Sequence, residues 1–129
     1  MKNTPLLTGL ELELMQIIWQ NEDVSVEFLR EKLADNGRPL ALPSVRTMLT
    51  ILKKKGFVSR RQISRAYVYN ALIEADEFQH SFVRDALNRA FSGSATGLVT
   101  ALLNRELVSK SELNQIKKMI SDYERGRKK

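Results

Sequence analysis

Apolar residues recur along roughly the first 55 positions at the three-to-four-residue spacing of helices, then at the alternate spacing of strands, then again at helical spacing almost to the end. Thr8-Gly9-Leu10-Glu11 fits a capping box, in which the threonine hydroxyl accepts from the Glu11 amide and the Glu11 carboxylate reaches back to the Thr8 amide. A helix is expected from there to about Gln20-Asn21, with Leu7 and Leu12 as its hydrophobic staple and Leu10, Leu14, Ile17 and Ile18 on one face. Ser25 caps a second helix, with Val24 stapled against Leu29 and a buried stripe of Phe28, Leu29 and Leu33. Asn36-Gly37 stops it, because both types tolerate left-handed backbone. Pro39 to Leu42 reads as extended, and Pro43 suits a first helical position, where its missing N–H costs nothing. In the third helix Val45, Met48, Leu49 and Leu52 form the buried side; Thr47, Thr50 and Lys54 lie opposite, with Arg46 and Lys53 on a flank.

After Gly56 the period changes to two. Phe57 to Arg61 and Ala66 to Tyr69 are β-prone segments separated by Gln62 to Arg65, which predicts a hairpin. Helix, helix, helix, hairpin is the order of a winged helix, whose third helix enters the major groove with the hairpin beside it. The remainder is expected to be helical. Ala75 to Phe91 carries Phe78, Phe82, Ala86 and Phe91 near one face, with Gly93 as a C-cap. A shorter helix carries Leu98, Val99, Leu102 and Leu103, of which Leu98 and Leu102 are expected to be buried. Ser109-Lys110-Ser111-Glu112 is a second capping box opening a last helix with a Leu113, Ile116, Ile120, Tyr123 stripe; Arg125 to Lys129 should fray. Three helices in about 55 residues enclose little core, so they need another surface. Self-association through Phe78, Phe82, Leu98, Leu102, Leu113, Ile116 and Ile120 would supply it and would relate two DNA-reading modules by a two-fold axis.

Charge sharpens this picture. The 129 residues carry a net +6, and between Gly37 and Ile73 there is no acid at all, against eight bases: Arg38, Arg46, Lys53, Lys54, Lys55, Arg60, Arg61 and Arg65. An acid-free window of that length arises by chance with a probability of roughly 0.01, so a polyanion is the natural partner. Phosphate or base contacts are expected from Ser44, Arg46, Thr47, Thr50, Lys53, Lys54, Arg60, Arg61 and Arg65. Thr47 and Thr50 are the base-reading candidates, Arg46 can reach guanine or a phosphate, and Arg65 sits at the wing turn. Trp19 reads as a core anchor, and Tyr67 and Tyr69 as packing residues on one wing face.

Other chemistries are disfavoured. There is no cysteine for a disulfide or thiolate site, and His80 has no second ligand at metal spacing, so no metal and no cofactor is expected. Glu11 and Glu13 read as capping and surface groups rather than a catalytic pair, and neither a nucleophile-base set nor a phosphate-cradling loop is found, so no enzyme is expected. No apolar run approaches the ~18 residues of a membrane span, and no signal peptide is read, so a cytoplasmic location without membrane contact is expected.

These residues resemble the penicillinase-repressor family, the BlaI/MecI transcriptional regulators and their copper-responsive relatives. The resemblance rests on Thr8, Glu11, Met15 and Ile18-Trp19, on Ser44-Val45-Arg46-Thr47-Met48-Leu49 and Lys54-Lys55-Gly56, on Arg65-Ala66-Tyr67-Val68-Tyr69, and on Phe91-Ser92-Gly93-Ser94 with Leu98-Val99. It implies a homodimeric repressor on a dyad-symmetric operator. The paired C-terminal cysteines of the copper-responsive branch are missing here, and the Asn-Phe bond cut by a regulatory protease in the β-lactam-responsive branch is replaced by Ala101-Leu102. The expected protein is mostly α with a small β-hairpin: a winged helix-turn-helix over 1–73 and a three-helix dimerisation region over 74–129. Its expected function is sequence-specific repression on double-stranded DNA as a homodimer, with a regulatory protease as a further candidate partner; the alternative is an architectural or protein-interaction module without strong sequence preference.

Overall fold

The computed structural model describes residues 7–127. Its elements are α1 (Gly9–Trp19), α2 (Val26–Asp35), α3 (Leu42–Lys54), β1 (Val58–Ile63), β2 (Ala66–Ala71), α4 (Ala75–Ala90), α5 (Ala95–Asn104) and α6 (Lys110–Arg127). The fold is mostly helical with one antiparallel hairpin, in the order expected for a winged helix followed by three helices. The expected tail is corrected at its start, because α6 stays helical through Arg127 and Arg125 pairs with Asp122 one turn back; Lys128 and Lys129 lie outside the described residues.

Local chemistry sets the helix boundaries. The Thr8 hydroxyl accepts from the Glu11 amide at 3.2 Å while the Glu11 carboxylate accepts from the Thr8 amide at 2.8 Å, and Ser25 Oγ accepts from the Phe28 amide at 3.0 Å. The ends of α2 and α3 share one device. Gly37 (φ +85°) and Gly56 (φ +84°) are left-handed, so the next amide folds back, Arg38 to the Leu33 carbonyl at 2.7 Å and Phe57 to that of Leu52 at 3.0 Å. That turn delivers the buried Phe57 ring into the core. Helix α3 starts one residue earlier than expected, with Leu42 first and Pro43 second.

Two compact units divide between Val83 and Arg84. In the first, Leu14, Met15 and Ile18 of α1, Leu29 and Leu33 of α2, and Val45, Leu49 and Leu52 of α3 close an apolar core over Phe57, Val58 and Tyr69. Phe28 and Met48, expected in the buried stripes, are half-buried at its edge. The hairpin is longer than expected. Pairing runs from Val58↔Ala71 to Ile63↔Ala66, so Gln62 and Ile63 are strand residues and only Ser64-Arg65 make the turn, with Ser64 left-handed. Val24 adds a third, one-residue strand through reciprocal bonds with Tyr69 at 3.0 and 2.8 Å.

Phe78 is a correction with consequences. Expected on the dimerisation face, it is 5% exposed and packs edge-on against Phe57 at 5.9 Å and against Trp19 at 5.6 Å, inside the first unit. Trp19 is the expected anchor, its indole N–H donating to the Ile73 carbonyl at 2.8 Å. These contacts tie the first two turns of α4 to the winged helix, which moves the division from Ile73 to Val83. Phe82 stacks on Phe78 at 5.8 Å but remains 51% exposed.

The second unit is thinly packed. Leu98, Leu113 and Ile116 are half-buried, while Leu102 and Ile120 are exposed together with Val99, Leu103, Met119 and Tyr123. The expected burial of Leu98 and Leu102 is therefore not achieved within one chain, because α5 buries none of its residues. The Ser109 capping box does form, with bonds of 3.1 and 3.4 Å to and from Glu112.

Candidate nucleic-acid interface

Helix α3 turns its apolar side inward and leaves Ser44, Arg46, Thr47, Thr50, Lys53 and Lys54 on the open side, all exposed. The hairpin rises beside it. Between them lies a groove of about 340 Å³ lined by Arg46 and Thr50 of α3, Arg60, Ala66, Tyr67 and Tyr69 of the strands, Arg65 of the turn, and Val26 and Glu27 of α2. Three of the expected contact cations thus converge on one concave surface. Ser44, Thr47, Lys53 and Lys54 share the helix but do not line the groove.

Strand alternation separates the two wing arginines. Successive side chains point to opposite faces. Arg60 faces the groove, its guanidinium 4.1 Å from the centre of the Tyr67 ring. Arg61 turns the other way and donates to Asp23 Oδ1 at 2.6 Å. Asn70 Nδ2 donates to the same oxygen at 2.8 Å, and the Asp23 amide donates to Asn70 Oδ1 at 2.9 Å, with Asp23 left-handed at φ +50°. The hydrogen bonds from Asn70 and Arg61 hold the Asp23 carboxyl below its usual range. Arg61 therefore braces the wing against the loop after α1 instead of facing the groove.

Two further members of the basic block are neutralised within the chain. Arg38 forms a fork on Glu13, with bonds of 3.2 and 2.8 Å that lower the glutamate pKa. Lys55 Nζ donates to Glu11 Oε1 at 2.7 Å. Glu11 is only 3% exposed, and its burial pushes the carboxyl up, but hydrogen bonds from Lys55 and Thr8 together with the lysine charge outweigh that and hold it low. Glu11 thus caps α1 as expected and also clamps α1 to the end of α3, a link the sequence reading missed. Among the described residues no ion pair involves Arg46, Lys53, Lys54, Arg60 or Arg65. Five of the eight cations of the acid-free block therefore remain for an external anion.

The threonine hydroxyls are engaged by their own helix. Thr47 Oγ1 donates to the Pro43 carbonyl and Thr50 Oγ1 to that of Arg46, each at 3.0 Å. Glu27, Tyr67 and Tyr69 are groove residues that the sequence reading did not place there; the shared wing face on which it put both tyrosines, as packing residues, was the available signal. Among the described residues there is no cluster of three or more His, Asp or Glu able to hold a metal, and no helix long and apolar enough to cross a membrane.

Known proteins resemble this chain in sequence and fold. A family model described as penicillinase repressor matches residues 7–122. The penicillinase repressor of Bacillus licheniformis is 26% identical over 132 residues, covering 99% of each chain. The solved DNA-binding domain of the repressor BlaI is 27% identical with a TM-score of 0.51, covering 60% of this chain and 93% of that one. The monomeric form of Bacillus licheniformis BlaI, solved in complex with the blaP half-operator, is likewise 27% identical with a TM-score of 0.50, over 60% and 93%. With the winged helix in place and a family match spanning nearly the whole sequence, this chain belongs to the penicillinase repressor family.

Proposed function

We infer that the chain is a DNA-binding transcriptional repressor that acts as a homodimer on a dyad-symmetric operator. The observation that carries this reading is the groove in which Arg46 and Thr50 of α3 face Arg60 and Arg65 of the wing, with no acid among the described residues paired to any of the three arginines. Helix α3 supplies a base-reading face and the wing supplies charge for the adjacent backbone. Lys53 and Lys54 in the last turn of α3 extend the phosphate-binding track. No bond is made or broken. Occupying a promoter blocks transcription, and loss of the operator contact restores it.

The dimer is supported by the unpartnered apolar residues of the second unit, Ile120 and Met119 of α6 and Leu103 of α5 among them. Burying that surface against an identical copy removes apolar area from water at about 25 cal/mol per Å². It also places two winged helices on one DNA, where the second contact becomes intramolecular. The test is footprinting on the DNA upstream of the chain's own gene and its neighbours, with affinities compared against random DNA. A protected palindrome preferred at least ~10³-fold at physiological salt is expected. Uniform affinity for all sequences would replace this reading with an architectural one.

A further inference from the structure

We propose that α3 reads thymine through the methyl groups of Thr47 and Thr50, and not through their hydroxyls. The inference rests on the DNA-binding reading and specifies how sequence is recognised. Both threonines are exposed on the open side of α3, three residues apart, which places them one above the other on a single face. Both spend their only hydroxyl proton on the carbonyl one turn back, Thr47 on Pro43 and Thr50 on Arg46. A threonine fixed in that way has no proton left to donate to a base; its oxygen can still accept, but it lies turned toward its own helix, and the γ-methyl is the apolar group it has to offer. The base that offers an apolar partner in the major groove is thymine, through its C5-methyl. Thr50 lines the groove beside Arg46, so an apolar contact at one base step sits next to a guanidinium able to grip guanine or a phosphate.

Valine separates methyl from hydroxyl. Its favoured helical rotamer puts one methyl where threonine keeps its own and the other where the hydroxyl was, so Thr47→Val and Thr50→Val preserve the proposed contact while removing every hydrogen bond. Thr47→Ser and Thr50→Ser do the reverse. On the DNA side, deoxyuridine removes the thymine methyl and leaves all hydrogen-bonding groups intact.

The experiment measures binding of the full chain to its footprinted operator, with each thymine of a half-site replaced singly by deoxyuridine. For the unmodified protein, two thymines are expected to show a loss of about fourfold each, the scale of one buried methyl group. The valine variants keep both the affinity and the uracil penalty. Each serine variant binds about fourfold more weakly and becomes indifferent to uracil at one of the two positions. Valine variants that lose affinity while their melting temperature is unchanged, or a wild-type protein indifferent to uracil at every thymine, would overturn the proposal and assign reading to the threonine oxygen or to other residues. Equal affinity of the unmodified protein for operator and random DNA overturns the repressor reading as well, a result distinct from specific binding without a uracil effect.

Discussion

At the scale of single residues, the division of labour among the cations decides how the site behaves. The acid-free stretch from Gly37 to Ile73 was visible as a block, yet its eight bases are not equivalent. Their partners come from outside the block, Glu11 and Glu13 from α1 and Asp23 from the loop after it. Distances of 25, 38 and 44 residues in sequence separate those pairs, so no local pattern could have announced them. Lys54→Ala or Arg65→Ala is expected to shallow the plot of log K against log salt by about one unit per lost phosphate contact, whereas Arg61→Ala should leave the slope nearly unchanged and act through the wing's position. Equal slope changes for Arg61 and Arg65 would show that Asp23 releases its partner to DNA. Glu11 carries a second expectation. Its folded-state pKa lies below the ordinary glutamate value of 4.5, so its contribution is complete above that pH and is lost as pH falls through the lowered value. Glu11→Gln keeps an acceptor for the Thr8 amide but removes the charge facing Lys55, at a cost of about 2 kcal/mol at neutral pH, less than for a fully buried pair because the lysine can reach water. Urea unfolding across pH should show the gap between the two proteins closing below about pH 4.5. A gap constant down to about pH 3 would mean that the cost is packing rather than charge.

At the scale of elements, most of the fold was legible because caps, glycine stops and hydrophobic period all act locally. Thr8, Ser25 and Ser109 cap where expected, and Gly37 turns left-handed where α2 must stop. What escaped was any feature whose cause lies elsewhere in the chain. Val24 looked like a staple residue and also pairs with Tyr69, because the partner strand is 45 positions away. Phe78 looked like one more member of an α4 stripe, since periodicity identifies a buried face without saying what buries it. Its real partners, Trp19 and Phe57, make a strong prediction about where the DNA-binding unit ends. A fragment ending at Val83 should fold as a stable monomer, while one ending at Ile73 lacks Phe78 and should lose roughly 3–5 kcal/mol, the cost of removing a buried phenylalanine. Phe78→Ala in the longer fragment should reproduce most of that loss in thermal unfolding. Equal melting temperatures for the two fragments would restore the boundary to Ile73.

At the scale of the whole molecule, the second unit leaves apolar side chains of a single chain in water. Ile120 is 55% exposed and Met119 67% on α6, and α5 buries nothing. Ile120→Asp is expected to shift sedimentation from dimer to monomer, because a carboxylate would have to lose its water in the apolar interface. It should also flatten the salt dependence of operator binding from a slope near −7, for about four phosphates per subunit, to about half of that. The same unit bears on release from DNA. A sensor protease that cuts an Asn-Phe bond would meet Ala101-Leu102 here, so the amide that it recognises is missing. Coverage is a second and separable barrier. Leu102 is exposed in the single chain and would be covered in the proposed dimer. The two barriers give different results in one experiment. The unmodified chain should resist such a protease both as a dimer and in the Ile120→Asp monomer, because recognition fails in either state. Restoring the pair with Ala101→Asn and Leu102→Phe should permit cutting in the monomer and slow it in the dimer, where the segment must first open locally. A cut between Ala101 and Leu102 in the Ile120→Asp monomer but not in the dimer would show that side-chain identity at this bond does not protect it and that coverage does; a cut in both states would remove both barriers.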